Sequence, residues 1–144
     1  MSTRRTTLDR LFSQVVRERA DWTCESCGTQ FEVRAPNLHC SHFRSRRYNG
    51  TRWHPINAAA HCATCHRFFS DHPHIFGAWI KDHLGEDGLE ALIQLSNRVT
   101  KFTDEDRRAI RDALKKILSF LKDKRSDGVR GRIEIDWEKA LGPR

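Results

Sequence analysis

Cys24-Glu25-Ser26-Cys27 and Cys62-Ala63-Thr64-Cys65-His66 bracket a segment that carries Leu38-His39-Cys40-Ser41-His42-Phe43-Arg44-Ser45 and Asn57. A Cys-x-x-Cys turn offers two thiolates from one bend, and two such turns complete the tetrahedral shell of soft ligands that zinc prefers. Cys24, Cys27, Cys62 and Cys65 are therefore read as ligands of a structural zinc. A shell closed by four thiolates leaves no position for water, so this zinc is expected to hold the fold and to do no chemistry. Gly28 follows the first pair, where a tight turn favours a residue tolerant of positive φ. The fifth cysteine, Cys40, is read as a small buried hydrophobe.

The rest of the composition agrees with a reducing, polyanion-rich setting. An odd number of cysteines, four of them in Cys-x-x-Cys pairs, argues against a disulfide framework, and no βαβ pattern supports thioredoxin-like chemistry. Lys and Arg number 26 against 19 Asp and Glu, a formal charge of +7, which draws a protein to nucleic acid. No run is long and apolar enough to span a bilayer, and no basic helix carries a large exposed apolar face, so a membrane partner is not expected. The start is basic and hydroxyl-rich but has no apolar region behind it, and a cytoplasmic location is expected.

Working outward, Leu8, Leu11, Phe12, Val15 and Val16 recur at helical spacing, predicting an amphipathic helix over Thr7–Ala20 with Arg10, Arg17 and Arg19 on a solvated face. Short strands are predicted at Phe31–Val33 and Leu38–Phe43. An exposed basic loop follows, turning at Asn49-Gly50 into a return strand at Thr51–Trp53 that His54-Pro55 ends. Helices are predicted from about Cys65, from Pro73 to Leu84 with Gly85 as its stop, from Asp87 to Ser96, and from the capping pattern Thr103-x-x-Asp106 to Lys122. Residues 122–132 read as a polar linker, and Ile133, Ile135 and Trp137 as an edge strand or a docking segment. The segments are then an N-terminal helix in 1–22, a zinc-braced core in 23–72, a helical region in 73–122 and a polar tail in 123–144. All four belong to one compact α+β domain.

The order Cys-x-x-Cys, His, Asn, Cys-x-x-Cys-His resembles the HNH, or ββα-metal, nucleases. Within that class it is most similar to the NinG (Rap) recombination endonucleases of lambdoid phages, through His39-x-x-His42-Phe43-Arg44-Ser45, Asn57 five residues before Cys62, and the helical region beyond. The resemblance spans roughly residues 23–121. It implies a metal-dependent endonuclease acting on DNA, with branched recombination intermediates as substrate, in the host bacterial cytoplasm if phage-encoded. His42 would be the general base, Asn57 would orient it, and His66 would bind a catalytic divalent cation, with His39 as a further ligand. Ser41 stands where such enzymes often place Asp or His, and His66 where many relatives have Asn. A histidine ligand favours Zn, Mn, Ni or Co, with Mg also open. Arg44, Arg46, Arg47 and Arg52 would neutralise phosphates flanking the cut, and Tyr48 and Trp53 would stack on an unpaired base. His54, His61, His72, His74 and His83 are read as surface or capping residues. Two other readings remain: a non-catalytic zinc-containing DNA-binding recombination accessory protein, and a sequence-selective restriction or homing-type nuclease. A monomer and a homodimer are both compatible with the apolar face of the last long helix.

Overall fold

A computed structural model describes residues 4–141; the outer ends of the first and last predicted segments, 1–3 and 142–144, lie outside the described residues. The architecture is mixed α+β, with a two-stranded sheet among helices. In chain order these are α1 (Thr7–Arg19), β1 (Leu38–His42), α2 (Asn49–Arg52), a 3-10 turn (Pro55–Asn57), β2 (Ala58–Cys62), α3 (Ala63–Asp71), α4 (Pro73–Asn97), α5 (Asp104–Ser126) and α6 (Trp137–Leu141).

The antiparallel pair β1–β2 sets Leu38 opposite Cys62, His39 opposite His61 and His42 opposite Ala58. Side chains alternate across a strand, and here each face has its own cover. Leu38 and Ala60 join Ala20, Trp22 and Cys24 in one buried cluster on the α1 side, while Ala58 joins Phe12, Val15 and Val16 in another. On the opposite face, His61 lies in a nest of Phe69 from α3 and Phe76 and Trp79 from α4. The run Ala58-Ala59-Ala60 is wholly buried, and its small side chains admit cover on both sides.

Capping boxes open both long helices, the one at Thr103 as predicted and the one at Thr6 in addition. Thr6 and Asp9 exchange hydrogen bonds at the head of α1, as do Thr103 and Asp106 at the head of α5. Between them Phe12, Val15 and Val16 meet Ile110, Leu114, Ile117, Leu118 and Leu121. α4 breaks at Gly85, whose φ of 72° takes the backbone out of the helix at the predicted stop.

Three expectations are corrected, and one open choice is decided. The return strand is not Thr51–Trp53, because Asn49-Gly50 opens α2 instead of a hairpin turn, and the chain comes back only at β2. Gly50 is packed so closely beneath the Leu95 carbonyl that any Cβ there would strike it. Phe31–Val33 forms no strand; only a single bridge joins Thr23 to Gln30 nearby. Arg19 does not lie on a solvated face: it is 2% exposed, and its guanidinium donates to the carbonyls of Pro55 (3.1 Å) and Ala58 (2.7 Å). That pair of bonds ties the end of α1 to the start of β2, and it buries Arg19 on the same face of α1 as Phe12, Val15 and Val16, at i+7, i+4 and i+3 from them. Finally, the tail is a docking segment rather than an edge strand. Ile133 donates its N–H to the Arg19 carbonyl, and Ile133, Ile135 and Trp137 pack on the main core.

Candidate metal centre and active site

The four cysteines sit at a junction of local turns. The first turn is closed by Gly28 N–H donating to the Cys24 carbonyl at 2.9 Å, with Gly28 at φ 78°. In the second, Cys62 caps α3, and its sulfur accepts from the Cys65 N–H at 3.4 Å. All four Sγ atoms lie within 4.8 Å of one another, with Cys27 and Cys62 3.9 Å apart. Four sulfurs bound to zinc at about 2.3 Å stand about 3.8 Å apart in a tetrahedron, so the donors fit the ion. The thiols are unequal. Hydrogen bonds from Thr29 bring Cys27 down to about 6, whereas burial pushes Cys24 up and Cys65 up to about 12. A divalent cation would reverse the preference of Cys24 and Cys65. Cys40 stands apart, packed against the main core, with burial pushing its thiol up to about 12.

The predicted catalytic residues divide into two pairs. His39 on β1 and His66 on α3 face each other with their Nδ1 atoms 2.9 Å apart. Burial and the neighbouring His39 lower the pKa of His66. The 2.9 Å separation is an imidazole–imidazole hydrogen bond; two nitrogens about 2.05 Å from one cation would stand about 2.9 Å apart at right angles and about 3.3 Å apart in a tetrahedron.

His42 and Asn57 form the second pair, at the other end of the hairpin. The Asn57 side chain accepts from the Arg44 N–H at 2.7 Å and donates to the Arg44 carbonyl at 2.9 Å, while the Asn57 carbonyl accepts from the Phe43 N–H at 2.8 Å. Asn57 thus clamps the two residues after His42 and does not touch its ring. The His42 imidazole lies against Phe12, with centroids 5.7 Å apart, and bonds to the Arg52 carbonyl. Its buried Nε2 has no partner, which assigns that bond to Nδ1. Burial, aided by Arg46, lowers the pKa of His42 to about 4. The alternation along β1 sends His39 toward α3 and His42 toward α1, so the two pairs lie on opposite faces, about 10 Å apart along the strand.

The hairpin arginines separate as well. Arg47 is exposed and Arg44 stacks over Tyr48 at 4.1 Å. Arg46 is partly exposed, 3.8 Å from Asp9. Arg52 departs from the expected phosphate contact: it is buried, with Nε and Nη2 on the Asp9 carboxylate at 3.0 and 2.8 Å. Trp53 is buried too, and its indole N–H donates to Asp9 at 2.8 Å, so it offers no stacking surface. Asp9 was not singled out from sequence, although the Thr6-x-x-Asp9 capping spacing marks it. The hydrogen bonds from Arg52, Thr6 and Trp53 hold its carboxyl well below the usual range despite burial. His61, read as a surface residue, is fully buried with neither ring nitrogen partnered.

Among the described residues no helix is long and apolar enough to cross a membrane. A family model described as Bacteriophage Lambda NinG protein matches residues 2–124. The chain belongs to the NinG family. Neither the curated proteins nor the solved structures contain a match to it. The NinG match takes in α1, both strands, all four cysteines and α5 as far as Lys124, so both candidate sites fall within the family's shared region.

Proposed function

We propose that this NinG-family chain is a metal-dependent endonuclease that hydrolyses DNA phosphodiesters, with branched recombination intermediates as its substrates. The observation that carries the reading is the nitrogen-to-nitrogen approach of His39 and His66, beside a separate closed cysteine site. The chain order β1, β2, α3 supports a ββα-metal core. A divalent cation held by His39 and His66 would stabilise the leaving oxygen. His42 gives its Nδ1 proton to a carbonyl and keeps a lone pair on Nε2, the tautomer that takes a proton from water at neutral pH. Asn57 prevents the strand end from shifting by holding Phe43 and Arg44. Membership of a phage recombination family favours branched DNA as the substrate.

One observation favours a second reading, a zinc-containing DNA-binding accessory protein. The His42 Nε2 is buried against α1, across the sheet from the His39–His66 pair. The test compares zinc-loaded wild type with His42→Ala on a labelled four-way junction and its matched linear duplex, in magnesium or manganese. Cutting of the junction by wild type alone is expected. Cutting of both substrates, still dependent on His42, would retain the chemistry and remove the branched-DNA claim. DNA bound but uncut under every metal would establish the accessory role instead.

A further inference from the structure

A second basic surface lies outside the hairpin. α1, α2 and the first half of α5 enclose an open groove of about 1240 Å³. Its walls carry Arg10 and Gln14 from α1 facing Arg107, Arg108, Arg111 and Lys115 from α5. The α5 residues recur at steps of one, three and four, which keeps them on one side of the helix. Their side chains are exposed, as is that of Arg10. Among the described residues the one acid in the lining is Asp104, and Arg107 already pairs with it at 3.3 Å. A merely solvated helix face intersperses both signs, but here Glu105 and Asp112 do not line the groove and the cations do.

The spacing suits a polyanion with regular charges. From Arg107 to Lys115 is eight residues, about 12 Å of helix, which laid along a duplex axis covers three or four steps of about 3.4 Å rise each. The groove also continues through Asn49 of α2, directly after the loop that carries Arg44, Arg46 and Arg47 and follows His42. We propose that this α1/α5 groove is a phosphate track that binds one duplex arm of DNA while the hairpin addresses the site of cutting. The proposal rests on DNA being the substrate but does not require that the chain cut it.

The test uses the full zinc-loaded chain with no other divalent cation, so that binding is read apart from cleavage. Equilibrium binding of a labelled four-way junction is followed from 50 to 200 mM salt for four proteins. These are wild type, Arg108→Gln/Arg111→Gln/Lys115→Gln, the charge-keeping Arg108→Lys/Arg111→Lys, and a control with the same charge loss elsewhere, Lys81→Gln/Lys122→Gln/Lys139→Gln. Loss of three phosphate contacts should make the log–log salt dependence shallower by about 3. It should also weaken binding at 100 mM salt by at least tenfold, with the charge-keeping variant and the control near wild type. Equal weakening in the control, or a groove variant with the wild-type slope, would overturn the track. Tighter groove-dependent binding of a matched RNA duplex would overturn DNA as its occupant. If wild type cuts DNA while the groove variant binds like it, the groove fails and the endonuclease reading stands. If binding depends on the groove and no metal supports cutting, the reverse holds.

Discussion

The four-cysteine site and the histidines of the sheet share β2 and α3, yet they are built on opposite principles. Each cysteine pair is delivered by one local turn, and the four sulfurs fall within 4.8 Å of one another. The histidines come from β1 and α3, distant in sequence, and the sheet deals them to two faces. Soft donors in a closed shell have no vacancy for substrate and can serve only stability. Paired imidazoles with few protein partners do little for stability and keep room for chemistry. The difference teaches that donors adjacent in sequence, as in Cys65-His66, can be sorted into separate clusters by donor chemistry and strand alternation.

The strongest way to break the comparison is to exchange the losses. Cys62→Ser removes one zinc ligand and the sulfur that caps α3, and structural zinc sites contribute on the order of 10 kcal/mol. The variant should lose cooperative thermal unfolding by circular dichroism and hold less than one zinc per chain. His39→Ala/His66→Ala should keep full zinc content and melt within a few degrees of wild type, while metal-dependent cutting disappears. A double-histidine variant that sheds its zinc would show that the two sites are one.

Legibility followed the same division. The cysteine shell, the helices of α1 and α5 and the Gly85 break were readable because each depends on residues a few positions apart: a turn, an apolar stripe, a capping box, a positive φ. The return strand was misplaced because Asn49-Gly50 serves equally as a hairpin turn and as a helix start. What decides between them is the close approach of Leu95, about 45 residues away. Arg19 and Arg52 were misread for a related reason. Arg19 stands seven, four and three residues after Phe12, Val15 and Val16, so its spacing puts it on the buried stripe and only its charge argues for solvent, whereas the carbonyls of Pro55 and Ala58, and for Arg52 the carboxylate of Asp9, that draw the guanidinium groups inward come from other elements. The site residues were named from a motif, but their division between two faces needed the register of β1 against β2.

A smaller effect sharpens the contrast through pH. Burial keeps His42 neutral down to about 4 in the folded chain, against about 6.5 when unfolded. The unfolded state therefore binds the extra proton first as pH falls below 6.5, and stability declines between 6.5 and 4, by about 3 kcal/mol. Above 6.5 His42 contributes no pH dependence. Imidazole NMR should find His42 uncharged at pH 5, and His42→Gln should remove its share of the acid slope in urea unfolding. The acid limb of cutting assigned to this base should likewise lie near 4. A His42 that titrates near 6.5 would mean an imidazole open to water, and the burial argument would fail.

The smallest expected effect separates the two sites most finely. At Gly85 α4 turns through φ 72°, so its first half lays Phe76 and Trp79 against His61 while its second half brings Leu95 over Gly50 of α2. A Cβ at position 85 meets no neighbour within 4 Å, so Gly85→Ala has only a backbone penalty, but φ 72° with ψ 174° is a conformation open essentially to glycine, a cost of about 2 kcal/mol. For a domain of this size that is a drop of about 6 °C in melting temperature. The strain falls on the helix that covers the histidine face and not on either cysteine turn. Gly85→Ala should therefore shift the NMR resonances of His61 and His83 while those of Cys24, Cys27, Cys62 and Cys65 stay in place. Gly128→Ala, also at positive φ with open space around it, should leave the histidines unmoved. Equal shifts at both sites in the first variant would mean that the cysteine shell and the histidine face relax as one body, and their separation into two tasks would have to be withdrawn.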